Sequence, residues 1–189
     1  FLSLPIPSSA RSTTNNYTSL SSKYSYLNYY SNSIYSSPKK VTLEDCFKSF
    51  TKSETLDGRN LWRCDKCKKE VNATVKSGIS KTSDVLIIHL KRFDGQSYFM
   101  KKIDTYVDYP DTLDLSDFQD LNSSQNSLSS KYNLIGVVFH HGTLSGGHYT
   151  SVALDPETKN WYEFNDSFVS SIQKGDIHSS KAYILFYQR

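Results

Sequence analysis

The chain has 189 residues, 37% apolar, 14% aromatic and 22% charged, and its 22 basic and 19 acidic side chains leave a net charge of +3. That length suits one compact domain or slightly more, and the aromatic share supports a packed core. The near-balanced charge argues against a strongly basic nucleic-acid binder, and the longest apolar run, Ala182 to Tyr187, falls far short of the roughly 20 residues of a membrane span.

The opening Leu2 to Pro7 reads as an extended segment ended by prolines. Because the chain starts at Phe1 and holds a single Met, Met100, it is expected to be a processed chain or a fragment. Nothing after Phe1 resembles a signal peptide. Residues 8–37 are rich in Ser, Tyr, Asn and Thr without helical or strand periodicity, and read as a disordered insertion. Thr42 is an N-cap with Asp45 at N3, and Leu43, Cys46, Phe47 and Phe50 follow at i, i+3, i+4 and i+7. This is one face of a helix, which makes Cys46 a core residue.

Cys64 and Cys67 follow Trp62, and a Lys-rich stretch leads to a buried-type strand over Val85 to Phe93. Met100 to Tyr109 alternates loosely, and 116–130 is a second polar loop. The last third is the most regular. Tyr132–His140, Gly147–Asp155, Asn160–Asn165 and Ala182–Tyr187 are rich in Val, Ile, Tyr and Phe and read as strands. The first two links are short, which implies antiparallel neighbours. The third, Ser167 to Lys181, leaves the place of the last strand open.

Two features carry chemistry. Thiolates spaced Cys-x-x-Cys are half of a tetrahedral zinc site, with two structural thiols as the alternative. An odd cysteine count with this spacing favours a reducing compartment. The second feature is Gly146-Gly147-His148, where glycines bring the backbone close and His148 enters a strand. Such a His suits a general base, while an ordinary hairpin His is the plain alternative. If Pro156–Lys159 is a four-residue turn, Asp155 pairs with Asn160. His148 and Asn165 then share a face one diagonal step apart. A one-residue slip would bring Asp166 opposite instead. Either residue could orient the ring as the third member of a triad, but no cysteine of the chain reads as the nucleophile.

Val85 to Phe93, Gly146 to Thr150, Trp161 to Ser167 and Ala182 to Tyr187 together resemble the ubiquitin-specific proteases, in order and spacing. Leu2–Pro7, Leu43–Phe47 and Leu56 to Cys67 resemble the middle of that family, and the branch of endosomal and vacuolar-sorting members is the nearest. The resemblance implies an α+β, papain-like cysteine protease shaped as a hand. The chain would supply mainly its antiparallel β palm, about 85–189, and part of its zinc-ribbon fingers, about 38–84. It implies a general base at His148, the third triad position at Asn165 and an assisting acid at Asp166. Cys64 and Cys67 would be the second pair of a four-cysteine structural zinc ribbon. Gly146, Gly147, Tyr149 and His141, with the loop Asp94–Lys101, would flank the channel for the ubiquitin tail. The nucleophilic Cys is expected upstream of Phe1, so the isolated chain is expected to be inactive. The expected partners are ubiquitin and ubiquitinated proteins, with no nucleic acid and no membrane span. The expected location is cytoplasmic, with endosomal or nuclear association as alternatives. The competing reading is a catalytically inactive ubiquitin-binding or scaffold module.

Overall fold

The computed structural model describes residues 1–7, 40–93, 102–119 and 129–189. The insertion at 8–37, the loop Asp94–Lys101 and most of the loop 116–130 lie outside these residues.

The chain enters through β1 (Leu2–Pro5) and resumes with β2 (Val41–Thr42) and α1 (Leu43–Thr51). The capping box read from the sequence is formed. The Asp45 amide donates to Thr42 Oγ1 and the Thr42 amide to Asp45 Oδ2, both at 3.1 Å. It satisfies two amides that a helix start leaves unpaired. Leu43, Cys46 and Phe47 are fully buried on one helix face, which packs against β1, and Phe47 stacks on Phe118 with ring centroids 5.0 Å apart. Burial pushes the Cys46 thiol up to about 12, so it remains a protonated core side chain.

Four short strands follow, β3 (Glu54–Leu56), β4 (Trp62–Arg63), β5 (Glu70–Val71) and β6 (Ala73–Val75). They form two antiparallel pairs, β3 with β6 and β4 with β5. No side chain of these strands is buried, and Trp62 faces Val71 across the outer pair.

The remaining strands are β7 (Val85–Lys91), β8 (Val107–Asp108), β9 (Thr112–Asp114), β10 (Lys131–Thr143), β11 (Gly146–Leu154), β12 (Trp161–Asn165), β13 (Phe168–Ile172) and β14 (Ala182–Gln188). Eight strands make one mixed sheet in the order β1-β7-β14-β10-β11-β12-β13, with β9 alongside the start of β10. Only β1 and β7 run parallel in it. One face is the core. Leu4, Ile88, Leu90, Leu185, Val137 and Val152 on it are nearly inaccessible to solvent, in register across five strands. The last strand lies between β7 and β10, at the centre of the sheet, a position its long link left open. The link, read from the sequence only as a long connection, holds β13 and a 310 turn at Lys174–Ile177.

Buried polar groups tie the layers. Arg92 is inaccessible to solvent, and its guanidinium donates to the carbonyls of Ala182, Ile103 and Thr105 at 2.6–2.8 Å. Tyr109 donates its hydroxyl to the Ile177 carbonyl at 2.7 Å, and Tyr187 donates to the Pro110 carbonyl at 2.6 Å. Buried donors without such partners would each cost about 1–3 kcal/mol.

Candidate functional site

The hairpin β11–β12 decides which residue meets His148. The Asp155 amide donates to the Asn160 carbonyl at 2.9 Å, and Lys159 takes a positive φ of 59° to close the turn. This is the register expected from a four-residue link. Ser151 therefore pairs with Phe164, and Thr150 and Asn165 lie at the next step. His148 Nε2 sits 2.7 Å from Asn165 Oδ1. A carboxamide oxygen only accepts, so the bond places the proton on Nε2 and leaves the Nδ1 lone pair free.

Asp166 follows at the tip of the next hairpin, with φ of 51°, and its carboxylate is 3.9 Å from His148 Nε2. That is an electrostatic distance, not a hydrogen bond. The turn thus gives the two candidate orienters different ranks. Asn165 fixes the tautomer, and Asp166 lends negative charge from a position that is 78% exposed.

The glycines ahead of His148 have a structural reason. β10 and β11 stay paired to Thr143 opposite Gly146, so the link between them is only Leu144-Ser145. Gly142 opposite Gly147 adopts φ of 121°. Any Cβ on Gly147 would overlap the His140 ring and the His141 carbonyl. Glycine is needed there for close approach, whereas Gly146 has open space around it.

His141 is the direct cross-strand partner of His148, and its Nε2 lies 3.1 Å from Thr150 Oγ1 on the same face. Tyr149 points to the other face, where its ring lies 4.7 Å from that of buried His140. The four residues assigned to a tail channel therefore divide between two faces of the sheet tip. His140 was not singled out in the sequence, because its closeness to Gly147 arises only when β10 and β11 pair.

Cys64 and Cys67 lie in the turn that joins β4 to β5. The Cys64 amide donates to the Lys69 carbonyl at 2.9 Å and the Lys68 amide to the Cys64 carbonyl at 2.8 Å, with Lys68 at φ of 59°. The amides of Cys67 and Lys66 are directed at the Cys64 sulfur and lower its pKa. Amides aimed at sulfur favour the thiolate, which is the ligand form of cysteine. The turn therefore fits two of four zinc ligands. Among the described residues there is no group of three or more His, Cys, Asp or Glu that could hold a metal ion.

The family description "Ubiquitin carboxyl-terminal hydrolase" matches residues 16–187. The chain is 42% identical over 158 residues to ubiquitin carboxyl-terminal hydrolase 15 of Homo sapiens, covering 82% of this chain and 16% of that protein. It is 40% identical to ubiquitin carboxyl-terminal hydrolase 2 of Gallus gallus, covering 80% of this chain and 43% of that one. The chain thus spans between 16% and 43% of the length of these relatives. Among solved structures, the SAGA Ubp8/Sgf11/Sus1/Sgf73 DUB module bound to ubiquitin aldehyde superposes with a TM-score of 0.65 at 31% identity, covering 79% of this chain and 33% of that one. A SAGA DUB module bound to monoubiquitin gives 0.67 at 29% identity, over 99% and 34%. The fold matches the papain-like class implied by the sequence motifs.

Proposed function

Since the chain belongs to the ubiquitin carboxyl-terminal hydrolase family, we propose that it supplies the base and its orienting groups to a thiol protease that cleaves (iso)peptide bonds at the C-terminal Gly of ubiquitin. The observation that carries this reading is the 2.7 Å bond from His148 Nε2 to Asn165 Oδ1, which leaves Nδ1 free at the exposed tip of the sheet. In the reaction His148 Nδ1 takes the proton of a cysteine thiol, and the thiolate attacks the Gly carbonyl carbon. The tetrahedral intermediate expels the amine, which receives the proton from Nδ1. Water, deprotonated by the same nitrogen, then releases the ubiquitin carboxylate and regenerates the thiol. Asn165 holds the ring through both proton transfers, and Asp166 stabilises the imidazolium between them.

The nucleophile is placed upstream of Phe1, because none of the three cysteines here suits the role. Cys46 is buried and held protonated. Cys64 and Cys67 belong to a turn suited to zinc, which when bound would hold the ribbon closed. In this reading the short strands over 54–75 are part of fingers at about 38–84, and the large sheet is a palm at about 85–189. The ubiquitin tail would pass Gly146 and Gly147, with His141 and Tyr149 on its two sides.

The test is hydrolysis of a ubiquitin C-terminal amide by the full-length protein. His148→Ala is expected to lower kcat by at least about 10³-fold, Asn165→Ala by about 10–10²-fold and Asp166→Ala by less. Full activity in His148→Ala would end the proposal. Ubiquitin binding without turnover by the wild type would select the inactive binding module instead.

A further inference from the structure

Beside the tip that carries His148 lies a cation that takes no part in the thiol chemistry. Lys102 has a side chain only 4% exposed, yet it sits at the end of the sheet and not in its core. Its ammonium donates to the His140 carbonyl at 2.6 Å and to the Gly142 carbonyl at 3.2 Å. We propose that Lys102 is a positioning residue, clipping these two carbonyls so that the β10–β11 tip holds His148 against Asn165. The proposal rests on the reading of His148 as the base.

The register explains why a clip is needed. The pairing of β14 with β10 ends at Ala182 opposite Phe139, and the His140 amide takes the Lys181 carbonyl at 2.9 Å as the last backbone bond on that edge. Beyond it β10 runs on to Thr143 with no strand among the described residues on the β14 side. The carbonyls of His140 and Gly142 face that gap. His140 is buried, where a carbonyl without a donor costs about as much as a lost hydrogen bond, and Gly142 is exposed. One ammonium on a four-carbon stem reaches both, which a single backbone amide does not.

The clip has a fixed base. Lys102 bridges Phe93 in antiparallel fashion, and the adjacent Ile103 exchanges bonds with Arg92, its amide donating to the Arg92 carbonyl at 2.7 Å and its carbonyl accepting from the guanidinium at 2.8 Å. Asp104 lies 3.8 Å from the ammonium and 3.3 Å from that of Lys181, giving the buried charge a shared counter-ion. The load passes through named contacts. Lys102 holds Gly142 at its φ of 121°, Gly142 faces Gly147, Gly147 rests on the His140 ring, and the next residue is His148. Displacing the Gly142 carbonyl therefore moves the backbone just before the base.

The experiment compares Lys102→Met, Lys102→Arg and wild type in the full-length protein. It measures kcat and KM on a ubiquitin C-terminal amide and the ¹⁵N signals of His148. The clip predicts that Lys102→Met melts cooperatively, loses about 10–10²-fold in kcat and keeps KM within about threefold. It also predicts that the His148 Nε2–H tautomer gives way to a mixture, and that Lys102→Arg, which keeps the donors, recovers most of both. If Lys102→Met does not melt cooperatively, Lys102→Gln is read by the same two criteria. A kcat within twofold of wild type overturns the proposal. So does a lower kcat with the tautomer unchanged, which would make Lys102 general support for the fold. If the wild type hydrolyses no ubiquitin substrate, the functional reading fails, and the tautomer comparison still decides the clip.

Discussion

The sheet tip and the Cys64–Cys67 turn each bring two chemistry-bearing side chains together at a strand end, but they differ in what completes them. At the tip, His148 and Asn165 come from neighbouring strands whose register is fixed by a turn within the chain, so the pair forms at 2.7 Å from local instructions. At the turn, both sulfurs come from one short loop whose amides favour a thiolate, yet the described residues hold no group of three or more His, Cys, Asp or Glu that could bind a metal. A hydrogen-bonded pair needs one partner, and a tetrahedral metal needs four. The first region therefore forms its pair within this chain, and the proposed zinc site would need two further ligands. Solvent exposure agrees. The strands around the turn bury no side chain, whereas Thr150 and His140 behind the tip are buried.

The comparison is broken most strongly at Gly147. Gly147→Ala sets a methyl against the His140 ring and the His141 carbonyl. In the full-length protein it should cost about 10²-fold in kcat and about 1–3 kcal/mol in stability. Zinc content should not change. Steady-state kinetics and denaturant melts check the first two, and metal analysis the third.

Next in size is the turn. Cys64→Ser in the full-length protein should remove about one bound zinc per molecule and lower the melting temperature. Its effect should appear mainly in KM, since the tip is built separately. Metal analysis that finds no zinc in the wild type would remove the half-site from the account.

The smallest effect belongs to the opposite end of the sheet and serves as a control on both regions. Lys174, at 2.6 Å, and then His178 hold the Asp111 carboxyl below the usual carboxylate range. A depressed carboxylate contributes stability that is fully present above its unfolded value, about pH 4, and is lost as pH falls through its folded value. Asp111→Asn should therefore lower the melting temperature by no more than about 3 °C at neutral pH, with the gap closing in acid. Neither zinc content nor kcat should move.

How legible each region was follows from the range of the forces that build it. The α1 face, the capping box and the β11–β12 register depend on residues a few positions apart, and the sequence carries them openly. The choice between Asn165 and Asp166 was a matter of parity, and the four-residue turn at Pro156–Lys159 resolves it as the simplest hairpin does. The strand β13 was hidden because Phe168–Ile172 holds two serines and sits exposed at an edge, where burial leaves no apolar signature. The central place of β14 depends on pairing with β7, about a hundred residues away, which no local pattern encodes. Lys102 was not singled out in the sequence, and only the end of the β14 register explains why it is buried. The Cys64–Cys67 pair was read as a zinc half-site from spacing alone, and what the structure adds is that the amides at Cys64 favour its thiolate.

The most direct test treats the full-length protein with ubiquitin that carries a thiol-reactive group at its C-terminus and maps the modified peptide. The account predicts one adduct per molecule on a cysteine N-terminal to Phe1, lost in His148→Ala. A stoichiometric adduct on Cys46, Cys64 or Cys67 would contradict it, because the nucleophile would then lie within this chain and the cysteines would have been assigned to the wrong roles.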